Sequence, residues 1–470
     1  METAPLTPDS GRASTRRWWI AVILLIGTWV GTLGNSMMPV ALPSIVRQYG
    51  VGLNMGVWVV TVYVLLVAVL MPVFGWLGDR HGYRSTYVIG LAGLSVFSWA
   101  AALAPSFGWL IAFRALQGVF NATTLPSVMG IISQVFPKDQ RGGAMGLWAA
   151  VNGAAHGLGP VISGYLIQNF AWPATFWLNG AMSLLGVVLV YAFVPSDRRH
   201  DARPFDFLGA GALTLAMLTL MFNLGRGQDL GWTSVISLGL WAVFAASVIL
   251  FLTIESRMGQ PFVDLGLFKN RRFSAVTAIS SAQYLCLMGL PILLSLYLIQ
   301  LRGFASGPAG LIIAPLASTL ALFSPLAGRT ADRLGYRAAM MAGMLIVTVA
   351  GLSMVLWDSE TGPWLVVVTL IIIGLGMAFT QSPAATGVTL VVGEDQLGVA
   401  LGIFNMLRFI SGTLGATVFG ITLEYARTNG GNPMQAFHLS FYLLAGVAGL
   451  ATVLAVSIPR PPAPARSARD

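Results

Sequence analysis

Charge is what this sequence has least of. Of its 470 residues only 9% are Asp, Glu, Lys or Arg, while 56% are hydrophobic; an ordinary soluble domain is roughly a quarter charged. That deficit excludes a water-soluble fold. Cysteine is nearly absent as well. Cys286 stands alone, so no intrachain disulfide exists and the residue reads as a small packing group. Lysine is scarce, with arginine outnumbering it 24 to 2, a bias that hints at a GC-rich bacterial genome. The chain also lacks a His-Glu-x-x-His motif, a Gly-Lys-Ser/Thr phosphate loop and any pair of acids inside an apolar run. Zinc hydrolysis, ATP-driven pumping and two-carboxylate catalysis therefore have no residues to run on. No enzyme activity, cofactor or metal is expected.

What the chain has instead is apolar length. Fourteen runs, most of about 20 residues or more and bounded by Gly, Pro or charge, follow one another from residue 18 to 458, and such a run crosses a bilayer core of about 30 Å as a helix. The expected fold is therefore an all-α membrane protein. The expected division is a tail at 1–17, six spans in 18–194, two further spans in 207–254, six spans in 273–458 and a tail at 459–470. An even count puts both ends on one side. On that side fall 20 of the 26 basic residues, against four on the other (Arg47, Arg226, Arg302 and Arg427), so the positive-inside rule makes both termini cytoplasmic. The same asymmetry accounts for the net charge of +9 without nucleic acid as a partner. The first apolar run is too long for a signal-peptide core and reads as an uncleaved span.

One phrase occurs twice. "FGWLGDRHGYRS" at 74–85 and "LAGRTADRLGYRA" at 326–338 align at a constant offset of 253, pairing Gly75, Gly78, Asp79, Arg80, Gly82 and Arg84 with Gly328, Ala331, Asp332, Arg333, Gly335 and Arg337. Both copies follow a span and enter a tight loop, which points to duplication of a multi-helix unit. Small residues let helices approach closely, the later Gly permits a sharp turn, and the Asp can accept from free amides at a neighbouring helix N-terminus.

Both phrases resemble the loop signature of the major facilitator superfamily, in which these charges latch two six-helix bundles during alternating access. Two extra spans between the copies resemble its fourteen-helix drug:proton antiporter branch. "VALPSI", "LIAFRALQGVFNA", "GPVISGYL" and "LGIFNMLRFISGTLGA" carry the resemblance from about residue 30 to 425. It implies a secondary active exporter of small amphiphilic compounds in a bacterial plasma membrane, proton-coupled and functional as a monomer. Gly153, Gly157, Gly159, Pro160 and Gly164 resemble the superfamily's antiporter motif. They depart from it at Ala155 and Ser163, where Gly is usual, and a plain packing kink is the other reading.

Charged and polar groups within spans are costly and mark function. Arg114, Gln117 and Asn121 share one helical face by spacing, and the resemblance places such an arginine in the central cavity; the bland reading is an Arg bonded to backbone carbonyls. Asn405 and Arg408 resemble a pair common in the fourteen-helix branch, with snorkelling as the alternative. His156, the one histidine well inside a span, suits reversible protonation or simple packing. Asn35, Met37, Met38, Asn152, Gln283 and Gln381 complete the expected cavity lining, the methionines as pliable surface or plain core.

The departure from the branch is an acid. Where relatives carry a membrane aspartate in span one, this chain has Gly34 in "LGNSMMPVALP", and all 17 acidic residues fall in loops, tails or span ends. A cavity without a counter-charge disfavours permanent cations and suits neutral, zwitterionic or anionic amphiphiles. A transporter of a single metabolite or an uncoupled facilitator is the second expectation.

Overall fold

Proline and small polar side chains decide where the helices begin and break. The computed structural model describes residues 9–195, 206–258, 263, 265–304, 306–428 and 433–458. In the N-terminal half, α1 (Asp9–Ser36) gives way to α2 (Met38–Tyr49), a turn α3 (Leu53–Gly56), α4 (Trp58–His81) and α5 (Tyr83–Ala102). Next come α6 (Phe107–Asn121), α7 (Thr124–Val135), α8 (Arg141–Phe170) and α9 (Pro173–Phe193). A pair, α10 (Phe207–Leu230) and α11 (Val235–Arg257), leads to the C-terminal half. That half contains a turn α12 (Gly266–Lys269), α13 (Arg271–Leu296), α14 (Ser306–Leu334), α15 (Tyr336–Met354), α16 (Pro363–Val391), α17 (Leu397–Thr428) and α18 (Pro433–Ser457). There is no strand among the described residues.

Two expected spans are each broken in two. Pro39 cannot donate to the Asn35 carbonyl and Pro126 cannot donate to that of Ala122, so the helix is interrupted at Met37 and again at Ala122–Thr123. Elsewhere side chains start helices. Asp206 accepts from the Gly209 amide at 2.9 Å and Asn270 from the Arg272 amide at 3.0 Å, opening α10 and α13. The first helix begins at Asp9, inside the stretch expected to be a tail; residues 1–8 and the expected tail at 459–470 lie outside the described residues.

Among the described residues thirteen helices are long and apolar enough to cross a membrane, one fewer than the fourteen runs expected. The one left out is α8. It is 30 residues long, but glycines and polar residues dilute its apolar character.

The duplicated phrases adopt the same backbone. Gly82 has φ 92° and ψ 137°, and Gly335 has φ 85° and ψ 148°, a region open to glycine and strained for other residues. Each lets a helix end and the next start at once. Tyr83 then packs on Gly130, and Tyr336 on Gly387.

The middle pair leans on the seam between the halves. Trp58 of α4 packs at a tilt against Phe222 of α10 with ring centroids 5.2 Å apart, and the Thr417 hydroxyl of α17 donates to the Leu224 carbonyl at 2.9 Å. Asn223 and Ser237 tie α10 to α11 through a 2.8 Å bond. Helix α11 buries little of itself, with 17% of its apolar stretch covered.

Candidate functional site

The halves meet most tightly at the end that carries the repeated phrases. There the Asp79 carboxylate, at the foot of α4, accepts from the Gly398 amide at 2.9 Å and the Val399 amide at 3.2 Å, capping α17 across the seam. The Tyr83 hydroxyl donates to the same carboxylate at 2.5 Å. Asp332, at the foot of α14, accepts from the Gly142 and Gly143 amides at 2.8 Å each, capping α8. Each aspartate therefore satisfies free amides and opposes the positive end of a helix in the other half.

Glycines make these approaches possible. A Cβ on Gly75 would sit 2.0 Å from the Gly398 carbonyl oxygen, and one on Gly328 would sit 1.9 Å from that of Gly142. Both distances are far inside van der Waals contact, and backbone cannot step aside as a side chain can. Gly78 abuts the Tyr83 ring. Arg141 adds a third tie, donating to the Thr389 carbonyl of α16 at 3.1 Å.

The basic members of the phrases do something else. Arg84 donates to the Tyr191 carbonyl at 2.5 Å, and Arg337 to the Ala455 and Val456 carbonyls at 3.2 and 2.5 Å. Each thus covers the C-terminal end of the last helix in its own half. Arg80 is exposed and lies over the Trp76 ring at 5.3 Å; Arg333 is exposed.

Beyond this closure lies a cavity of about 330 Å³ between the halves. Thr32 and Asn35 of α1, Tyr63 of α4, Asn121, Trp148 and His156 face Tyr284 of α13 and Arg408 of α17 across it. Among the described residues the lining carries no carboxylate. Asn152 donates to the Thr32 hydroxyl at 2.9 Å, and its carbonyl oxygen is 3.0 Å from His156 Nδ1. The seam loosens along α8: Gly153 packs on Leu320 and Ala321, whereas Gly157 and Gly164 have open space beside them. Gly159 is pressed against Ser36, and Pro160 is exposed.

Arg408 is 3% exposed and donates to Asn405 Oδ1 at 3.2 Å. The rings of Tyr284, Phe404 and Trp148 surround its guanidinium at 4.6, 5.4 and 5.9 Å. Asn405 itself donates to the Leu401 carbonyl at 2.9 Å.

Several residues expected in the cavity lie outside it. Arg114 is turned away, donating to the Val59 carbonyl at 2.8 Å and Gln117 Oε1 at 2.7 Å, with its guanidinium 4.2 Å over the Tyr63 ring. Gln117 donates to the Phe97 carbonyl at 2.9 Å. Tyr63 stands between that pair and the cavity, so of the three residues on the shared face only Asn121 reaches the lining. Met37 and Met38 are core, packed with Leu33 and Ile45. Gln283 and Gln381 are buried in α13 and α16, away from the lining and without a hydrogen-bond partner. Tyr63, Trp148 and Tyr284 were not foreseen, because an aromatic residue inside an apolar run looks the same whether it faces a cavity or the core.

The missing aspartate has a steric reason. A Cβ on Gly34 would lie 2.3 Å from Asn179 Nδ2, and that amide is fixed by donating to the Val30 carbonyl at 2.8 Å and accepting from Ser98 at 3.0 Å. A neutral amide from α9 occupies the space an acid would need.

A helical bundle with two halves, a central cavity and a capped seam is the build of a membrane transporter. The chain belongs to the Major Facilitator Superfamily, whose profile matches residues 24–416 and again 278–470. It is 30% identical over 407 residues to multidrug resistance protein Stp of Mycobacterium tuberculosis, covering 86% of this chain and 76% of Stp. It is 29% identical over 422 residues to the tetracenomycin C resistance and export protein of Streptomyces glaucescens, covering 89% and 78%. The crystal structure of the human organic anion transporter MFSD10 has the same fold, with a TM-score of 0.69 at 16% identity and coverage of 93% and 99%. The protein is thus a multi-pass membrane transporter and not an enzyme.

Proposed function

We propose that this protein is a secondary active exporter of small amphiphilic compounds in a bacterial inner membrane, working by alternating access in exchange for protons. The observation that carries the reading is the cavity itself, roofed by two cross-seam helix caps at one end while the α8 seam loosens toward the other. Such caps are short, polar and confined to helix ends, so they can form in one state and break in the next. By the count of basic residues the capped end is cytoplasmic, as are both termini, and the cavity faces outward. In this reading spans one to six and nine to fourteen, with α8 as the fifth, form the two moving units. A single chain suffices.

The names of the two relatives, one a multidrug resistance protein and one a resistance and export protein, support export. His156 is the one imidazole among the described lining residues and the group that would carry the exchanged proton. Without a carboxylate among its described lining residues to pair with a desolvated cation, the cavity favours neutral, zwitterionic or anionic amphiphiles over permanent cations. The same absence supports a second reading, a transporter of one metabolite or an uncoupled facilitator.

Accumulation of a panel of amphiphiles in cells lacking other exporters separates these readings. Expression of the protein lowers accumulation of several unrelated neutral and anionic members, and a protonophore restores it. Lowered accumulation of a single compound supports the metabolite reading, and indifference to the protonophore supports the facilitator.

A further inference from the structure

Two hydrogen-bond donors on residues that line the cavity lack acceptors. Arg408 Nε and the Trp148 indole Nε1 are both buried and have no hydrogen-bond partner; their residues are 3% and 1% exposed and both line the cavity. They come from opposite halves, Trp148 from α8 and Arg408 from α17. The guanidinium is held by one bond to a neutral amide and by three rings. Aromatic faces orient a cation but do not neutralise it. A buried charge without a counter-ion is costly, and an unused buried N–H adds to that cost. Among the described lining residues nothing relieves both, since none is a carboxylate.

We infer that Arg408 is the specificity-determining residue of this cavity, and that it takes the anionic oxygen group of an aromatic substrate, with the Trp148 indole N–H as the second donor. This rests on reading the cavity as the substrate site. The substrate class is a planar aromatic compound with one carboxylate or ionised phenol. Its ring lies among Tyr284, Trp148 and Phe409, and its anionic oxygen accepts from Nε of Arg408. Because the two donors belong to different halves, the anion ties α8 to α17 while it is bound. The oxygen of Asn35, also without a hydrogen-bond partner, is left to accept from a hydroxyl elsewhere on the substrate. Arg114 plays no part in this recognition, since Tyr63 screens it from the cavity.

The test is binding of three fluorescent probes to the purified full-length protein: anthracenecarboxylate, anthracenemethanol and anthracenylmethyl-trimethylammonium. They share one ring system and differ in the charge and bulk of the single substituent. The wild-type protein is expected to bind the carboxylate at least about tenfold tighter than the alcohol, and the alcohol tighter than the cation, as a charge-assisted pair in a dry site requires. Arg408→Gln brings the three to within about threefold of one another. Arg408→Lys keeps part of the preference and controls for folding, as does an unchanged Trp fluorescence unfolding midpoint. Trp148→Phe, which keeps an aromatic face but loses the N–H and part of the stacking surface, weakens all three probes and the carboxylate most.

Equal binding of all three probes by the wild type, tighter binding of the cation, no binding of any, or a preference that survives Arg408→Gln would each overturn the inference. Failure of the exporter reading looks different: the binding preference is present and lost in Arg408→Gln, yet the protein lowers accumulation of no compound in cells.

Discussion

At single residues, the closure of the capped end depends on atoms that are missing. Gly328 has room for no side chain, because a Cβ would sit 1.9 Å from a backbone oxygen of α8. Gly328→Ala should therefore force the capped end apart. Ser382, buried in the same seam with its hydroxyl donating to the Gly142 carbonyl at 3.4 Å, provides a reporter. In a Cys286→Ser background a cysteine at position 382 is expected to resist a water-soluble maleimide, and to label at least about tenfold faster once Gly328→Ala is added. Equal labelling would mean the seam is not set by this contact. These glycines were legible in the sequence because the phrase occurs twice. The facing of Arg114 was not, since spacing on a helix fixes which residues share a side but not what packs against that side. The Tyr63 ring decides it, and nothing in the sequence marks Tyr63.

At the scale of elements, the two caps and the two arginine contacts should separate cleanly. Asp79→Ala removes acceptors from the first turn of α17, and Asp332→Ala does the same for α8. Each cap is worth about 1 kcal/mol, which is roughly fivefold in the population of the closed end. Amide exchange should speed up in residues 397–400 in the first variant and 141–144 in the second. The double variant should show both effects, because the caps share no partner. Arg337→Ala is expected to lower the unfolding midpoint by a few degrees, since it strips a helix end of its partner, yet to leave exchange at both caps unchanged. The resemblance implies that all of the phrase's charges tie the halves together; among the described residues, the phrase's bonds seen crossing the seam are those of the aspartates. Helix number was read closely from apolar length, and α8 departs because a helix rich in glycine can be long without being strongly apolar. The breaks at Met37 and at Ala122–Thr123 follow from Pro39 and Pro126, which were visible, although a proline in a membrane run often only bends it.

At the scale of the whole molecule, binding free energies of proton and substrate are reciprocal. A proton on His156 adds a second positive charge to a cavity that already holds Arg408. It should favour an anion there and disfavour a cation. Affinity for anthracenecarboxylate is therefore predicted to rise as pH falls, and to become independent of pH in His156→Gln. Exchange for protons is then strongest with neutral compounds, which compete with the proton for the imidazole. Anions draw instead on the membrane potential, worth about 2.3 kcal/mol per 100 mV for each charge moved. Collapsing the potential alone should stop export of anions and spare that of neutral compounds.

In the proposed mechanism, substrate exchanges for protons through the cavity that His156 lines. The most direct measurement follows the pH gradient of inside-out vesicles with an acidic lumen when a neutral aromatic alcohol is added. The gradient is expected to fall in proportion to the compound with the wild-type protein and to hold with His156→Gln. An equal fall with His156→Gln, or no fall with folded wild-type protein, would contradict that mechanism.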